Sequence, residues 1–512
     1  MGPRRRRKHS SKSSRRDKTV DRLQSQLRKK DAKIRALRAE NRRLRSEVKR
    51  LAARLREIEA RLGQNSSNSS RPPSSDLPGS RPRQPPRTPT GRKQGAQRGH
   101  RGTHRKPFPP DQVDHSFRVP ADRCRACGKP LPKRPGIPVP PPRLHQLVDI
   151  PPSSAEVWEW LLEAAPCSCG AVTWADLPPD VPRGAVGERL QAAVAVLVGR
   201  FHLSRRDVTE VLVALFGPKA EIAVGTVSHI EEQVSEALLP CTEEAVEAVR
   251  KAPVAHADET GFRQENKKAW LWVGVAGLLA VFLVDRRRGR DAFVRLFRGF
   301  RGILVSDRWR AYVHWPRRRW QICWAHLKRD FRGVVDRKGP GHRVGVEALE
   351  VRAEIFAIWK RHKAGQISHA QFRRRIVPHQ RRFRVILQRG TESRDRKTRA
   401  LCRELLRFWP ALWTFARYEG VDPTNNAAER ALRRAVLWRK GSFGCQSERG
   451  ARFVERILTV TQSLRMQGRS SMDFIELAIR AHQNGHASPS LIPNRIPRPK
   501  SQPRLLRGHR TA

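Results

Sequence analysis

The sequence predicts an α/β core, a mixed sheet with a helical insertion, preceded by a coiled coil, a small cysteine-knuckle segment and a helical region. Three observations predict it. Residues 252–335 contain short apolar runs that read as strands at 254–258, 270–275 and 279–284, a helix at 291–300, a strand at 302–307 and a further strand at 321–324 leading into a helix at 325–331. Three strands, a helix and then a strand ending in an acid is the order of a ribonuclease-H-like sheet. Residues 345–420 read as helices, including 346–362 and 398–418. Residues 20–62 carry a sustained heptad repeat.

The chain has 512 residues, enough for several domains. Lys and Arg total 105 against 48 Asp and Glu, giving a formal net charge of +57. Such a charge repels itself in a compact body and calls for a polyanionic partner, of which nucleic acid is the obvious one. The excess is not confined to tails, because Arg286-Arg287-Arg288, Arg317-Arg318-Arg319 and Arg373-Arg374-Arg375 lie well inside the chain. The basic N-terminus has no apolar segment behind it, so no secretory signal is expected. The most apolar stretch, 269–284, is too short to span a bilayer and contains Gly274 and Gly277. It fits two strands joined by a Gly-rich turn. No membrane partner and a cytoplasmic location are expected, with the eight cysteines reduced.

Taken in order, residues 1–19 are a basic tail. With Val20 at heptad position a, the a/d series from Val20 to Leu62 is apolar except at Lys30 and Asn41. A buried Asn at an a position favours one register and a dimer. Glu40 with Arg45, and Arg54 with Glu59, would attract across a parallel pair, whereas Lys33 and Arg38 would repel. Residues 63–110, rich in Ser, Pro, Gly, Arg and Gln, cannot form a core and read as a basic flexible linker. Residues 111–180 hold Cys124-x2-Cys127 and Cys167-x-Cys169, two close thiol pairs that suit tetrahedral Zn2+. The second pair is one residue tighter than the usual spacing, and ordinary reduced thiols are the alternative. Residues 185–250 predict helices at 189–198 and 205–216, a break at Gly217-Pro218, and a third helix over about 226–239. Two helices around a short break are a candidate helix-turn-helix, though short helices also pack in any core. The core occupies 252–480, and 481–512 is a Pro- and Arg-rich tail without predicted structure.

Three carboxylates stand out in a chain so poor in acids. Asp258, in HADETG, is expected at a strand end, on one face with Val254 and His256; Asp307 ends ILVSD, on one face with Ile303 and Val305. Glu429 follows Asn425 and Asn426 in a helix expected over 424–437, with Asp422 as N-cap and Pro423 at the first helical position. Two Asp and one Glu converging at a cleft repel one another unless a cation lies between them, and hard oxygen ligands select Mg2+ or Mn2+. Two such ions about 3.5–4 Å apart would clamp the attacking and leaving oxygens of a phosphoryl transfer. Arg430, Arg433, Arg434, Arg439 and Lys440 follow Glu429 and would hold phosphates. Each acid alone has an ordinary explanation: a turn residue or helix cap for either Asp, a surface pair with Arg433 for Glu429. Asp285, Asp330 and Glu259 are rivals, although Glu259 should point away from Asp258.

The succession of coiled coil, NSSNSSRPPSSD, GRKQGAQRGHRG, CRACGKPL, HADETGF, WLWVGVAG, SDRWRAY, CWAHLKRDF, NNAAERALRRAVLWRK and the Ser-Glu-Arg-Gly-Ala segment at 447–451 resembles the transposases of the insertion-sequence sixty-six family, TnpC type, from about residue 20 to 475. The resemblance implies a ribonuclease-H-like core with a helical insertion between the second and third acids, where Asp258, Asp307 and Glu429 are those acids in order. It also implies a zipper, a zinc-binding segment and a helical DNA-binding region before the core. The implied activity is metal-dependent cleavage of double-stranded DNA at the ends of a bacterial element and transfer of the strand to target DNA. Implied partners are those DNA ends, a second copy through the coiled coil, and small accessory proteins, in a nucleoid-associated setting. His326 matches a family motif, with a site-shaping or DNA-contact role or a buried structural one. The alternatives are a non-catalytic DNA-binding descendant and a nuclease that cuts without joining.

Overall fold

The computed structural model describes residues 10–66, 68–69, 107–131, 144–178, 181, 184–442 and 444–493. Residues 1–9, most of the expected linker (67 and 70–106) and the end of the expected tail (494–512) lie outside them. The chain divides into two compact units, one built from Arg83–Val181 and Leu203–Ser228 and the other from the remainder.

α1 (Ser10–Leu62) is one continuous helix, longer at its start than the heptad span. Its apolar seam is open to solvent, from 45% exposed at Ile34 to 79% at Leu62. The segment expected to start a flexible linker is instead tied down at its first residues. Asn68 donates from Nδ2 to Gly63 O (3.0 Å) and to Asp336 Oδ2 (2.9 Å), and its Oδ1 accepts from Asn65 N–H. A short polar side chain here closes a turn and also reaches a neighbouring helix, which composition cannot reveal.

β1 (Ala164–Pro166) and β2 (Val172–Trp174) form a small antiparallel hairpin. α2 (Glu188–Gly199) and α3 (Arg205–Phe216) match the two predicted helices closely. Ser204 starts α3 with a reciprocal cap to Asp207. The predicted third helix is α4 (Val224–Ala237), and a further helix not expected from the sequence, α5 (Leu239–Lys251), follows it with Pro240 in its first turn.

The sheet follows. β3 (Val254–Gln264), β4 (Lys267–Ala276) and β5 (Leu279–Asp285) form an antiparallel meander. α6 (Arg290–Leu296) leads to β6 (Ile303–Ser306), then β7 (Trp320–Ile322). The order across the sheet is β5-β4-β3-β6-β7, with β6 parallel to β3 and β7 parallel to β6. Asp258 is therefore not at a strand end: β3 runs six residues beyond it, paired with β4. The polar stretch around Glu265-Asn266 hides this hairpin, because both turn residues take positive φ (52° and 55°) without a glycine to announce the turn.

α7 (Trp324–Asp336) follows the last strand, and α8 (His342–Lys363), α9 (His369–Gly390), α10 (Arg396–Arg407), α11 (Trp409–Leu412) and α12 (Thr414–Arg417) fill the region expected to be helical. The single helix expected over 398–418 is three, divided around Pro410. Aromatic side chains fill this layer: Trp324, Phe331, Phe372, Phe383 and Phe415 are fully buried. α13 (Asn426–Ser442) returns to pack on β3 and β4. α14 (Glu448–Gln467) lies along β5, and α15 (Ser471–Gln483) packs against α2. On α14, Glu455, Thr459 and Ser463 accept hydrogen bonds from the N–H groups of Val284 (2.7 Å), Phe282 (3.1 Å) and Ala280 (3.0 Å). Helical spacing of four matches strand spacing of two here, so one side chain meets each outward-facing N–H. The expected tail is folded at its start: Leu491 is buried, and its N–H donates to Glu244 (3.0 Å).

Candidate functional site

The parallel register builds the site. Val254 pairs with Ile303 and His256 with Val305. Two residues further along each chain are Asp258 and Asp307, so the two acids stand at matching positions on adjacent strands, where the parallel pairing ends and β6 leaves the sheet. Asp258 Oδ1 accepts from Glu259 N–H (2.9 Å), and Asp307 Oδ1 accepts from Trp309 N–H (2.9 Å). Among the described residues neither forms a salt bridge with a basic side chain.

The helix carrying Glu429 is fixed to this edge by Asn425. That side chain, fully buried, donates from Nδ2 to Ala257 O (2.8 Å), and its Oδ1 lies 3.3 Å from His256 Nδ1. Its N–H donates to Cys323 Sγ (3.1 Å), while Cys323 N–H donates to Ser306 O (2.9 Å). This lock moves the start of α13 to Asn426. Asp422 is not the N-cap: it pairs with Lys363 (3.3 Å), and Pro423 O accepts from Trp324 N–H.

Glu429 is exposed and pairs with His326, not with Arg433. Its Oε1 lies 3.5 Å from His326 Nδ1. Cys323, His326 and Glu429 offer ligand atoms within 4.8 Å of one another, and among the described residues no other trio of His, Cys, Asp or Glu does. The three acids are thus not gathered as tightly as the sequence suggested; Glu429 points toward α7. Burial, then Arg329 and Arg308, push His326 down to about 3, so the imidazole is neutral and the contact with Glu429 is not an ion pair.

Burial raises all three acids. Asp258 is lifted well above the usual range by burial, then by Glu259 and Asp307. Asp307 is raised by burial despite the Trp309 N–H and Arg288, Arg308 and Arg329. Glu429 is raised by burial, against Arg329 and with Asp307. Two aspartates raised by burial, each with one oxygen left uncommitted and neither in a salt bridge, suit a divalent cation. Asp258 and Asp307 fit it as they stand.

The rivals have other work. Glu259 lies on the other face of β3, where it accepts from Tyr312 Oη and from Arg288 (2.9 Å), and Arg288 stacks on Trp309 (3.7 Å). Asp285 binds Arg295 and Arg287 N–H at the far strand. Asp330 pairs with Arg308 (2.6 Å). Sequence reasoning missed Arg288, Arg329 and Cys323; the Cys323-x2-His326 spacing at a helix start was the available signal for the last.

The five basic residues divide. Arg430 lies near Glu429 and His256. Arg439 donates to Gly261 O (2.7 Å), while Arg433 and Lys440 are exposed. Arg434 faces elsewhere, toward Arg200 and His202.

In the other unit, each cysteine pair occupies a tight turn. Cys124 O accepts from Gly128 N–H and Cys167 O from Gly170 N–H, both 2.9 Å. Gly128 and Gly170 take φ of 69° and 86°, conformations that a side chain would strain. Cys124 is lowered chiefly by the Cys127 N–H, and Cys167 by the Cys169 N–H. Thiol pairs at such turns, with Cys124 and Cys167 lowered, have the donor chemistry that zinc takes. No three of the four sulfurs lie within 4.8 Å of one another, so the two pairs are formed but not joined.

A family model for transposases, described as Transposase IS66 family, matches residues 183–453. The chain belongs to the IS66 transposase family. The matched span holds the sheet, the insertion and α13. A family of unknown function matches residues 21–106. Two proteins of Sinorhizobium fredii, both described as uncharacterized, are similar. The one called y4qI is 25% identical over 45% of this chain, and y4hP is 24% identical over 71%. The aligned part spans about half of y4qI (48%) and 71% of y4hP. Among the described residues of this transposase-family chain, no helix is long and apolar enough to cross a membrane.

The shifts predict an unusual pH response for the metal-free protein. Glu259 is raised by burial from 4.5 to about 7, and Asp258, Asp307 and Glu429 move the same way. The folded state then binds more protons than the unfolded one above the ordinary carboxylate range, so stability falls as pH rises through those raised values. His202 and His326 are depressed from 6.5 to about 4 and about 3, so their contribution is lost as pH falls below 6.5. Below pH 6.5 the carboxylate and histidine contributions oppose one another; above it only the carboxylate decline remains, so thermal melting of metal-free protein should fall from pH 6.5 upward, with Mg2+ removing that fall. A melting temperature still rising above pH 8 would contradict this.

Proposed function

We propose that the chain is a DDE-type DNA transposase that cleaves the ends of a mobile element and joins the freed 3′-hydroxyl to target DNA. The observation that carries this is the β3–β6 register, which sets Asp258 beside Asp307, with Glu429 on a helix locked to the same strand by Asn425. The strand order, three antiparallel then two parallel, supports reading 252–480 as a ribonuclease-H-like catalytic domain with its insertion at 345–420.

Asp258, Asp307 and Glu429 would hold two Mg2+ or Mn2+ ions. Glu429 joins the aspartates by turning its exposed side chain from His326. The metal, when bound, neutralises phosphate charge and lowers the pKa of the attacking water or sugar hydroxyl. Arg430, Arg433 and Lys440 would bind the DNA backbone beside the acids, and Arg439 would steady β3 through Gly261 O. Residues 111–180 would bind Zn2+ through Cys124, Cys127, Cys167 and Cys169 once the two turns close on one ion. The helices of 185–250 would read the element ends, and small accessory proteins would assist.

A second reading, a non-catalytic DNA-binding descendant, is favoured by Glu429 lying with His326 and Cys323. Purified protein and duplexes carrying the element ends separate the readings. Nicked and joined products in Mg2+ or Mn2+ are expected; binding without nicking in either metal selects the second reading, and nicking without joining makes the chain a nuclease.

The open seam of α1 would pair with a second copy over residues 20–62, burying side chains that are now about half exposed. Deleting those residues should lower the oligomeric state in sedimentation; an unchanged state rejects the pairing.

A further inference from the structure

Behind the catalytic helix lies a second basic site. Arg434 is five residues after Glu429, which places it about 140° around α13. There it meets the end of α2 and the last turns of α14, in a small pocket lined chiefly by Arg200, His202, Arg434, Leu458, Thr461 and Arg465. Three features of this pocket point the same way.

First, three guanidinium groups converge without a carboxylate: among the described residues Arg200, Arg434 and Arg465 form no salt bridge, and Arg200 is bonded only to Ser471 Oγ (3.1 Å). Arg200 is lowered by burial and then by Arg434 and Arg465, which is the mark of like charges held together. Second, His202 closes the end of α2 in a left-handed conformation (φ 62°), its backbone N–H donating to Val198 O (3.1 Å), which sets the ring beside α13. Third, both of its ring nitrogens are buried without a hydrogen-bond partner, although the ring is held by Trp438 of α13 (5.1 Å between centroids). Whichever tautomer is present, one N–H donor is left over. Convergent unpaired donors are costly unless an anion satisfies them.

We propose that Arg200, His202, Arg434 and Arg465 bind a backbone phosphate of DNA on the side of α13 opposite Glu429. Bidentate guanidinium contacts suit a phosphodiester oxygen pair, and Arg465, exposed at the mouth, admits a long strand as well as a small ion. Because Arg434 and Glu429 share one helix, a phosphate seated here steadies α13 while the acid is in use. The inference rests on DNA being the partner and is independent of cleavage.

The test uses the full chain, a short duplex of arbitrary sequence, and the variants Arg465→Gln and Arg200→Gln. Arg298→Gln, an exposed change of equal charge at the end of α6, is the control. Each pocket variant should lose about tenfold in affinity at low salt and reduce the slope of log K against log salt by about 1, uniformly across sequences. Arg465→Gln should melt at the same or a higher temperature than wild type without DNA, because repulsion is relieved. Pocket variants matching Arg298→Gln in affinity and slope overturn the proposal, as does a lowered melting temperature that accounts for the lost binding. If inorganic phosphate alone raises the melting temperature of wild type but not of Arg465→Gln, while DNA slopes stay equal, the site takes a small anion and the DNA assignment falls. A wild type that binds no duplex refutes the DNA reading itself, whereas binding without nicking leaves this proposal standing.

Discussion

Asp258→Asn should abolish metal-dependent cleavage of element ends while leaving DNA affinity within about twofold of wild type. The substitution keeps the shape and the hydrogen bond accepted from Glu259 N–H but removes the charge. A lost transition-state interaction of about 4 kcal/mol corresponds to roughly a thousandfold in rate. Asp307→Asn should behave alike, because the register gives the two residues equivalent places on neighbouring strands. The amide should also remove much of the alkaline decline in metal-free stability, since the burial-raised acid is gone. Nicking assays over a range of Mn2+, with binding measured on the same preparation, check this. Full cleavage by Asp258→Asn would end the assignment of that residue.

Trp324→Ala should be the most damaging single truncation to stability, at about 3–5 kcal/mol. Trp324 is fully buried at the start of α7, its ring against Phe383 (5.3 Å) and Trp413 (5.2 Å), and its Nε1–H donates to Leu412 O (2.9 Å). The change opens a cavity and removes the shorter of the two hydrogen bonds that Leu412 O accepts, leaving only that from Gln321 Nε2 (3.4 Å). It also loosens the helix that carries His326 and Arg329. The damage should begin in the insertion, so limited proteolysis should cut between α8 and α12 before the sheet, and denaturant unfolding should lose its single transition. A loss below about 1 kcal/mol would show that the aromatic layer repacks.

Much of the architecture was readable in advance, for physical reasons that can be traced. Alternation placed Val254, His256 and Asp258 on one face and Ile303, Val305 and Asp307 on another; the parallel pairing then aligned them. The apolar run at 269–284 split into β4 and β5 as its glycines suggested. What escaped were features that depend on distant partners. Glu265-Asn266 turns a hairpin without glycine, so the second half of β3 was missed. Asp422-Pro423 has the form of a helix start, but Asn425 is held by Ala257, 168 residues away, and the helix begins after it. Glu429 was expected to face the aspartates or Arg433, and only tertiary packing could reveal His326 beside it. Asn68 looked like linker because nothing local announces Asp336 as its partner.

The three acceptors that α14 offers to β5 have a consequence for how this protein can associate. A strand at the border of a sheet is a template onto which another chain can add, and that route leads to swapped dimers and fibrils. With Val284, Phe282 and Ala280 already donating to Glu455, Thr459 and Ser463, the border has no free donors at those positions. Copies of this highly basic chain crowded along one nucleic acid can therefore lie close together without fusing through β5.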